Sequence, residues 1–81
     1  MKQPNVLVYG SNSCPDTARV RKFLDAGGIS FEFKDVDATP TFNEYVAELN
    51  GGNRVIPTLR VENTTLVNPS DDQLHDFFAR E

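Results

Sequence analysis

Apolar positions along the chain fall into short blocks whose spacing switches between two periods. Val6-Leu7-Val8-Tyr9 is rich in β-branched residues and nearly continuous in apolar character, which predicts a strand over residues 5–9 covered on both faces. Gly10-Ser11-Asn12-Ser13 reads as a loop. Val20, Phe23, Leu24 and Gly27 then fall at i, i+3, i+4 and i+7, with Arg19, Arg21, Lys22 and Asp25 on the other side. This predicts a helix that starts near Asp16 and stops at Gly27-Gly28, one of them left-handed. Residues 29–36 form a second strand in which Phe31 and Phe33 alternate with Glu32 and Lys34. Pro40 suits the first turn of a second helix, striped by Phe42, Tyr45, Val46 and Leu49 and stopped by Asn50-Gly51-Gly52. A third strand, 55–61, is entered through Pro57, and Glu62-Asn63-Thr64 reverses the chain into a fourth, 65–67. Ser70-Asp71-Asp72-Gln73 then carries a capping-box signature before a last helix with Leu74, Phe77 and Phe78 inward.

The order β-α-β-α-β-β-α predicts an α/β domain, a four-stranded mixed sheet flanked by three helices. The first two strands are parallel through a right-handed crossover, and the last two are an antiparallel hairpin. With 81 residues there is room for one domain, 1–81, and no second core. A net charge of -4 argues against a nucleic-acid partner, which calls for a concentrated basic face. The cluster Arg19, Arg21 and Lys22 reads as a solvated helix face. No apolar run reaches the length of a membrane span or an export signal, so the expectation is no membrane partner and a cytoplasmic location, where an unpaired thiol persists.

Cys14 is the only cysteine. A free cysteine often behaves as a small buried hydrophobe, but Ser11, Asn12, Ser13, Asp16 and Thr17 make these surroundings wet. Pro15 at the first helical position makes Cys14 the N-cap, facing the amides of Asp16 and Thr17 and the positive end of the helix dipole. A thiolate is favoured there, and the thiolate is the attacking species in thiol–disulfide exchange. Asp16 either opposes that charge or closes a capping box with Ser13. Thr17 either donates its hydroxyl to the sulfur or is an ordinary helix residue. One cysteine and one histidine, His75, cannot assemble an intrachain zinc site, so no metal is expected.

These residues resemble the glutaredoxin branch of the thioredoxin fold, close to the small bacterial glutaredoxins and mycoredoxins, over essentially the whole chain. The resemblance rests on Val6-Leu7-Val8-Tyr9-Gly10 leading into Cys14-Pro15, on residues 51–58 with their Ile56-Pro57 peptide, and on Leu66-Val67-Asn68-Pro69-Ser70-Asp71-Asp72 before the last helix. It implies a redox-active centre at Cys14, with Ser13, Pro15, Asp16 and Thr17 assisting. It also implies a cis Ile56-Pro57 bond whose Ile56 backbone pairs with a peptide-like thiol. Arg54 and the amides of Ser70 and Asp71 would take the ligand's carboxylates, and the Asp71 side chain an ammonium group.

Three positions depart from the family pattern. Thr17 stands in place of the resolving cysteine, Asn68-Pro69 in place of Gly-Gly, and Ser11 in place of a lysine. The expected activity is therefore monothiol: reduction of mixed disulfides between proteins and a low-molecular-weight thiol. Glutathione or a similar thiol serves as co-substrate, no cofactor is bound, and the chain acts as a monomer. Two alternatives stand beside it: an iron–sulfur carrier bridging two chains through Cys14, and a redox-inactive binding module.

Overall fold

The computed structural model describes residues 5–79; residues 1–4 and 80–81 of the expected domain lie outside the described residues. The elements are β1 (Val6–Gly10), α1 (Pro15–Ala26), β2 (Glu32–Asp35), α2 (Pro40–Leu49), β3 (Thr58–Val61), β4 (Thr64–Val67) and α3 (Asp71–Ala79). The sheet order is β2-β1-β3-β4, with β1 parallel to β2 and antiparallel to β3, and β3 antiparallel to β4. The predicted order and strand directions are those observed.

Strand alternation sorts the core onto the two faces of the sheet. Val6 and Val8 of β1, with Leu59 and Val61 of β3, pack against Val20 and Leu24 of α1 and Leu74 of α3. The opposite face is smaller: Tyr9 with Val36 and Val46, flanked by Leu7, Phe42 and Ile56, which places α2 there. Leu24, Leu59 and Leu74 are fully buried, each worth about 1.5–3 kcal/mol in area removed from water.

Two strands are shorter than their apolar runs. β2 begins at Glu32 rather than Ile29, because Ile29 and Phe31 pack on the larger core without joining the ladder. β3 begins at Thr58 rather than Val55, because Pro57 has no N–H to give a ladder. β4 gains Thr64. Of the two glycines after α1, Gly28 takes the left-handed conformation, φ 68°. Among the described residues, no helix is long and apolar enough to cross a membrane.

Candidate active site

β1 delivers the chain at Gly10 into a four-residue loop, and Pro15 opens α1, so Cys14 takes the N-cap in an extended conformation (φ -94°, ψ 118°). The capping box between Ser13 and Asp16 does not form, because the cap is one residue later than Ser13. Asp16 instead stands 3.6 Å from the Arg19 guanidinium on the next turn. The Cys14 side chain closes no capping hydrogen bond, and it is a free, half-buried thiol.

The loop is held by Ser11, which is 2% exposed and uses every polar atom it has. Its carbonyl accepts the Cys14 N–H at 3.1 Å, and its own N–H goes to Thr17 Oγ1 at 3.3 Å. Its hydroxyl donates to Asp37 Oδ2 while accepting the Ser13 N–H at 3.2 Å. With that proton committed to the carboxylate, the 2.9 Å contact between the Ser11 and Ser13 hydroxyls is donated by Ser13.

Thr17 is buried beneath the end of β1, and a Cβ on Gly10 would come within 2.5 Å of its Oγ1. The glycine at that strand end therefore makes the room Thr17 needs. The Thr17 hydroxyl is also the foremost influence on the sulfur. The Cys14 pKa is lowered from the ordinary thiol value first by the Thr17 hydroxyl, then by the Thr17 amide and, less, the Asp16 amide. Burial and the Asp16 carboxylate oppose the shift without reversing it. Of the two influences weighed in the sequence, the Asp16 carboxylate acts against the thiolate and the Thr17 hydroxyl acts for it, the latter being the larger.

The remaining residues fall into two groups on either side of this loop. Arg54, in the connection that leads to Ile56 and Pro57, pairs with Asp37 Oδ1 at 2.9 Å and so belongs with Ser11. The Ile56-Pro57 peptide is cis, as the resemblance implies. Pro57 is buried, and its carbonyl accepts the Asn68 N–H at 2.7 Å, joining this segment to the turn before α3.

At that turn the second group gathers round Arg19, which donates to Asp71 Oδ1 at 2.8 Å, to the Pro69 carbonyl at 3.0 Å and to Asn68 Oδ1 at 3.4 Å. Arg19, Asn68, Ser70, Asp71 and Asp72 line an open cleft of ≈ 460 Å³. Ser70 and Gln73 cap α3 reciprocally: the Ser70 N–H donates to Gln73 Oε1 at 2.9 Å and the Gln73 N–H to Ser70 Oγ at 3.1 Å. The Ser70 amide, expected to face a ligand carboxylate, is thus occupied, and the Asp71 carboxylate, expected to face an ammonium, holds Arg19.

Two residues of the site carried no usable signal in the sequence. Arg19 reads in the sequence as part of a solvated face, and nothing in the pattern ahead of Pro40 singles out Asp37. Both are defined by partners far along the chain.

The geometry agrees with the comparisons to known proteins. Residues 6–66 match the Glutaredoxin family model. A protein of Mycobacterium tuberculosis designated a glutaredoxin is 32% identical over 70 residues, which is 85% of this chain and 83% of that one. Mycoredoxin 1 of Corynebacterium glutamicum is 36% identical over 61 residues, 75% of each chain. Among solved structures, the glutaredoxin of Archaeoglobus fulgidus superposes with a TM-score of 0.80 over 93% of this chain and 86% of that chain, at 22% identity.

Proposed function

The chain belongs to the glutaredoxin family, a family of thiol–disulfide oxidoreductases, and from that premise we propose that it works as a monothiol enzyme on mixed disulfides between proteins and a low-molecular-weight thiol. The Cys14 thiolate attacks the small-thiol sulfur of the mixed disulfide. The S–S bond breaks, the protein thiolate leaves and takes a proton, and Cys14 is left joined to the small thiol. A second small-thiol molecule, as thiolate, attacks that sulfur, releases its own disulfide and restores Cys14. Each turnover thus consumes one mixed disulfide and one small thiol, and yields one protein thiol and one small-thiol disulfide.

The observation that carries this reading is the N-cap position of Cys14, with its sulfur biased toward thiolate by Thr17 and the first amides of α1. Thr17 supplies a hydroxyl where a resolving thiol would stand, so an intramolecular disulfide is not part of the cycle. The Ile56 backbone beside the cis peptide offers strand-like pairing to a peptide-like thiol. Arg54 takes a ligand carboxylate by exchange with Asp37, an exposed ion pair that costs little to swap.

The test is to mix reduced protein with oxidised glutathione and with disulfides of other small thiols, then weigh the intact chain. A single adduct on Cys14 that a second thiol removes is the expected result. A chain that takes up no small thiol from any of these disulfides would overturn the proposal.

A further inference from the structure

Asp37 lies in the β2–α2 connection, 23 positions after Cys14 in the sequence, yet its carboxylate joins the thiol loop to the connection that leads into β3. One oxygen, Oδ2, accepts the Ser11 hydroxyl, and the other, Oδ1, accepts Arg54 at 2.9 Å. The carboxylate is itself placed by its own backbone, since the Asp37 N–H and the Ala38 N–H both donate to Asp35 Oδ1, at 2.9 and 3.2 Å. Asp35 also reaches the thiol loop, accepting from Asn12 Nδ2 at 3.4 Å. The β2–α2 connection is therefore a bracket that grips the thiol loop at Ser11 and Asn12.

We propose that Asp37 is a positioning residue for Cys14: by fixing the Ser11 hydroxyl it sets the loop geometry that brings Thr17 to the sulfur, and by holding Arg54 it links that geometry to the ligand side of the site. The path is short. The Asp37 carboxylate orients the Ser11 side chain, and the Ser11 N–H occupies a lone pair of Thr17 Oγ1, which keeps the Thr17 hydroxyl proton available to the Cys14 sulfur that it acidifies. The buried Ser11 also accepts the Cys14 N–H on its carbonyl, so a shift of Ser11 moves the cysteine and its chief hydrogen-bond donor together. The inference rests on Cys14 being the exchanging thiol.

The sign of one measurement separates positioning from plain electrostatics. Of the charged groups around the site, Asp16 on α1 is the one whose field acts on the sulfur. Asp35, Asp37 and Arg54 stand on the β2–α2 side, and Arg19, Asp71 and Asp72 on the α3 side. Taking a negative charge away at Asp37 favours thiolate if it acts through space. Loosening Ser11 and Thr17 disfavours thiolate.

The experiment is alkylation of Cys14 by iodoacetamide, an uncharged reagent that needs no ligand site, followed against pH in Asp37→Ala, which leaves no acceptor for the Ser11 hydroxyl, and in Ser11→Ala. The two variants break the same bond from opposite ends, so if one fails to fold the other decides. The expected result is a reactivity midpoint displaced upward in both, with alkylation at neutral pH slowed about two- to tenfold, as the loss of one hydrogen bond implies. The double variant should be no slower than Ser11→Ala. Midpoints that stay put or move downward in the folded variants overturn the proposal. Because no small thiol takes part, failure of the monothiol function would show as missing adducts in the mass measurement and leave this one readable.

Discussion

At α1 the capping position holds Cys14, whose side chain closes no capping hydrogen bond, whereas at α3 Ser70 and Gln73 satisfy each other's amides reciprocally. The two helix starts are neighbours, joined by Arg19 of α1 reaching Asp71, Asn68 and the Pro69 carbonyl. Both carry the unpaired amides and positive dipole end that any helix start has. At α3 those donors are spent on stability. At α1 they are left to a sulfur atom, and the helix forgoes about 1 kcal/mol of capping in exchange for a more acidic thiol. The stable start anchors the turn that Asn68 ties to Pro57, while the unfinished start presents the thiol.

The largest effect should come from finishing α1 as α3 is finished. Cys14→Ser installs a good N-cap and removes the nucleophile, so all exchange is lost while stability rises by about 0.5–1 kcal/mol. The comparison needs the right pH. The folded pKa of Cys14 lies below its unfolded value, so its thiolate adds stability that is fully present above the unfolded pKa and is lost as pH falls through the folded pKa. Urea unfolding on the acid side of both values therefore isolates the cap. A serine variant less stable than the parent under those conditions would mean that the sulfur caps α1 after all.

Thr17→Val sharpens the contrast from inside the unfinished start. It keeps the shape and deletes the hydroxyl that both receives the Ser11 N–H and leads the acidification of Cys14. The buried Ser11 amide loses its partner at a cost of about 1–3 kcal/mol. The pH midpoint of Cys14 alkylation should rise toward that of an ordinary thiol. If the midpoint held while stability fell, Thr17 would be a packing residue and the amides alone would account for the thiolate.

The difference between the two helix starts also marks what a linear reading reaches. The α3 cap was legible because Ser70 and Gln73 are three residues apart and the box is a local pattern. The cap position of Cys14 was legible for the same reason, since Pro15 names the first helical residue. Element order followed from periodicity, and the departures lie at strand ends: Ile29 and Phe31 pack without pairing, Pro57 has no N–H to give a ladder, and Thr64 joins β4. The cis bond at Ile56-Pro57 was reached through family resemblance, because composition favours trans. Arg19 with Asp71, and Asp37 with Ser11 and Arg54, join residues 52, 26 and 17 positions apart, and no pattern along the chain connects them. In sequence each is one more charge on a polar face. They acquire a role only when the sheet brings the loops at the C-terminal end of β1 and the start of β3 together.

Gln73→Ala opens the finished start and should have the smallest effect. It removes one arm of the capping box, at about 0.5 kcal/mol, because alanine is itself a good helix former and Ser70 Oγ still accepts the Gln73 N–H. What it gains is a free amide at Ser70, on the rim of the cleft beside Arg19. A ligand carboxylate docking at the start of α3 would then find one more donor aligned with the dipole, which is worth roughly a two- to fivefold fall in KM for a carboxylate-bearing mixed disulfide. A mixed disulfide with an uncharged thiol should show no such fall, and kcat should stay the same for both, because the sulfur and its donors are untouched. If KM for the carboxylate-bearing substrate does not fall, the start of α3 is a structural cap alone. Ligand anions would then be handled on the other side of the thiol, by Arg54 as it exchanges partners with Asp37.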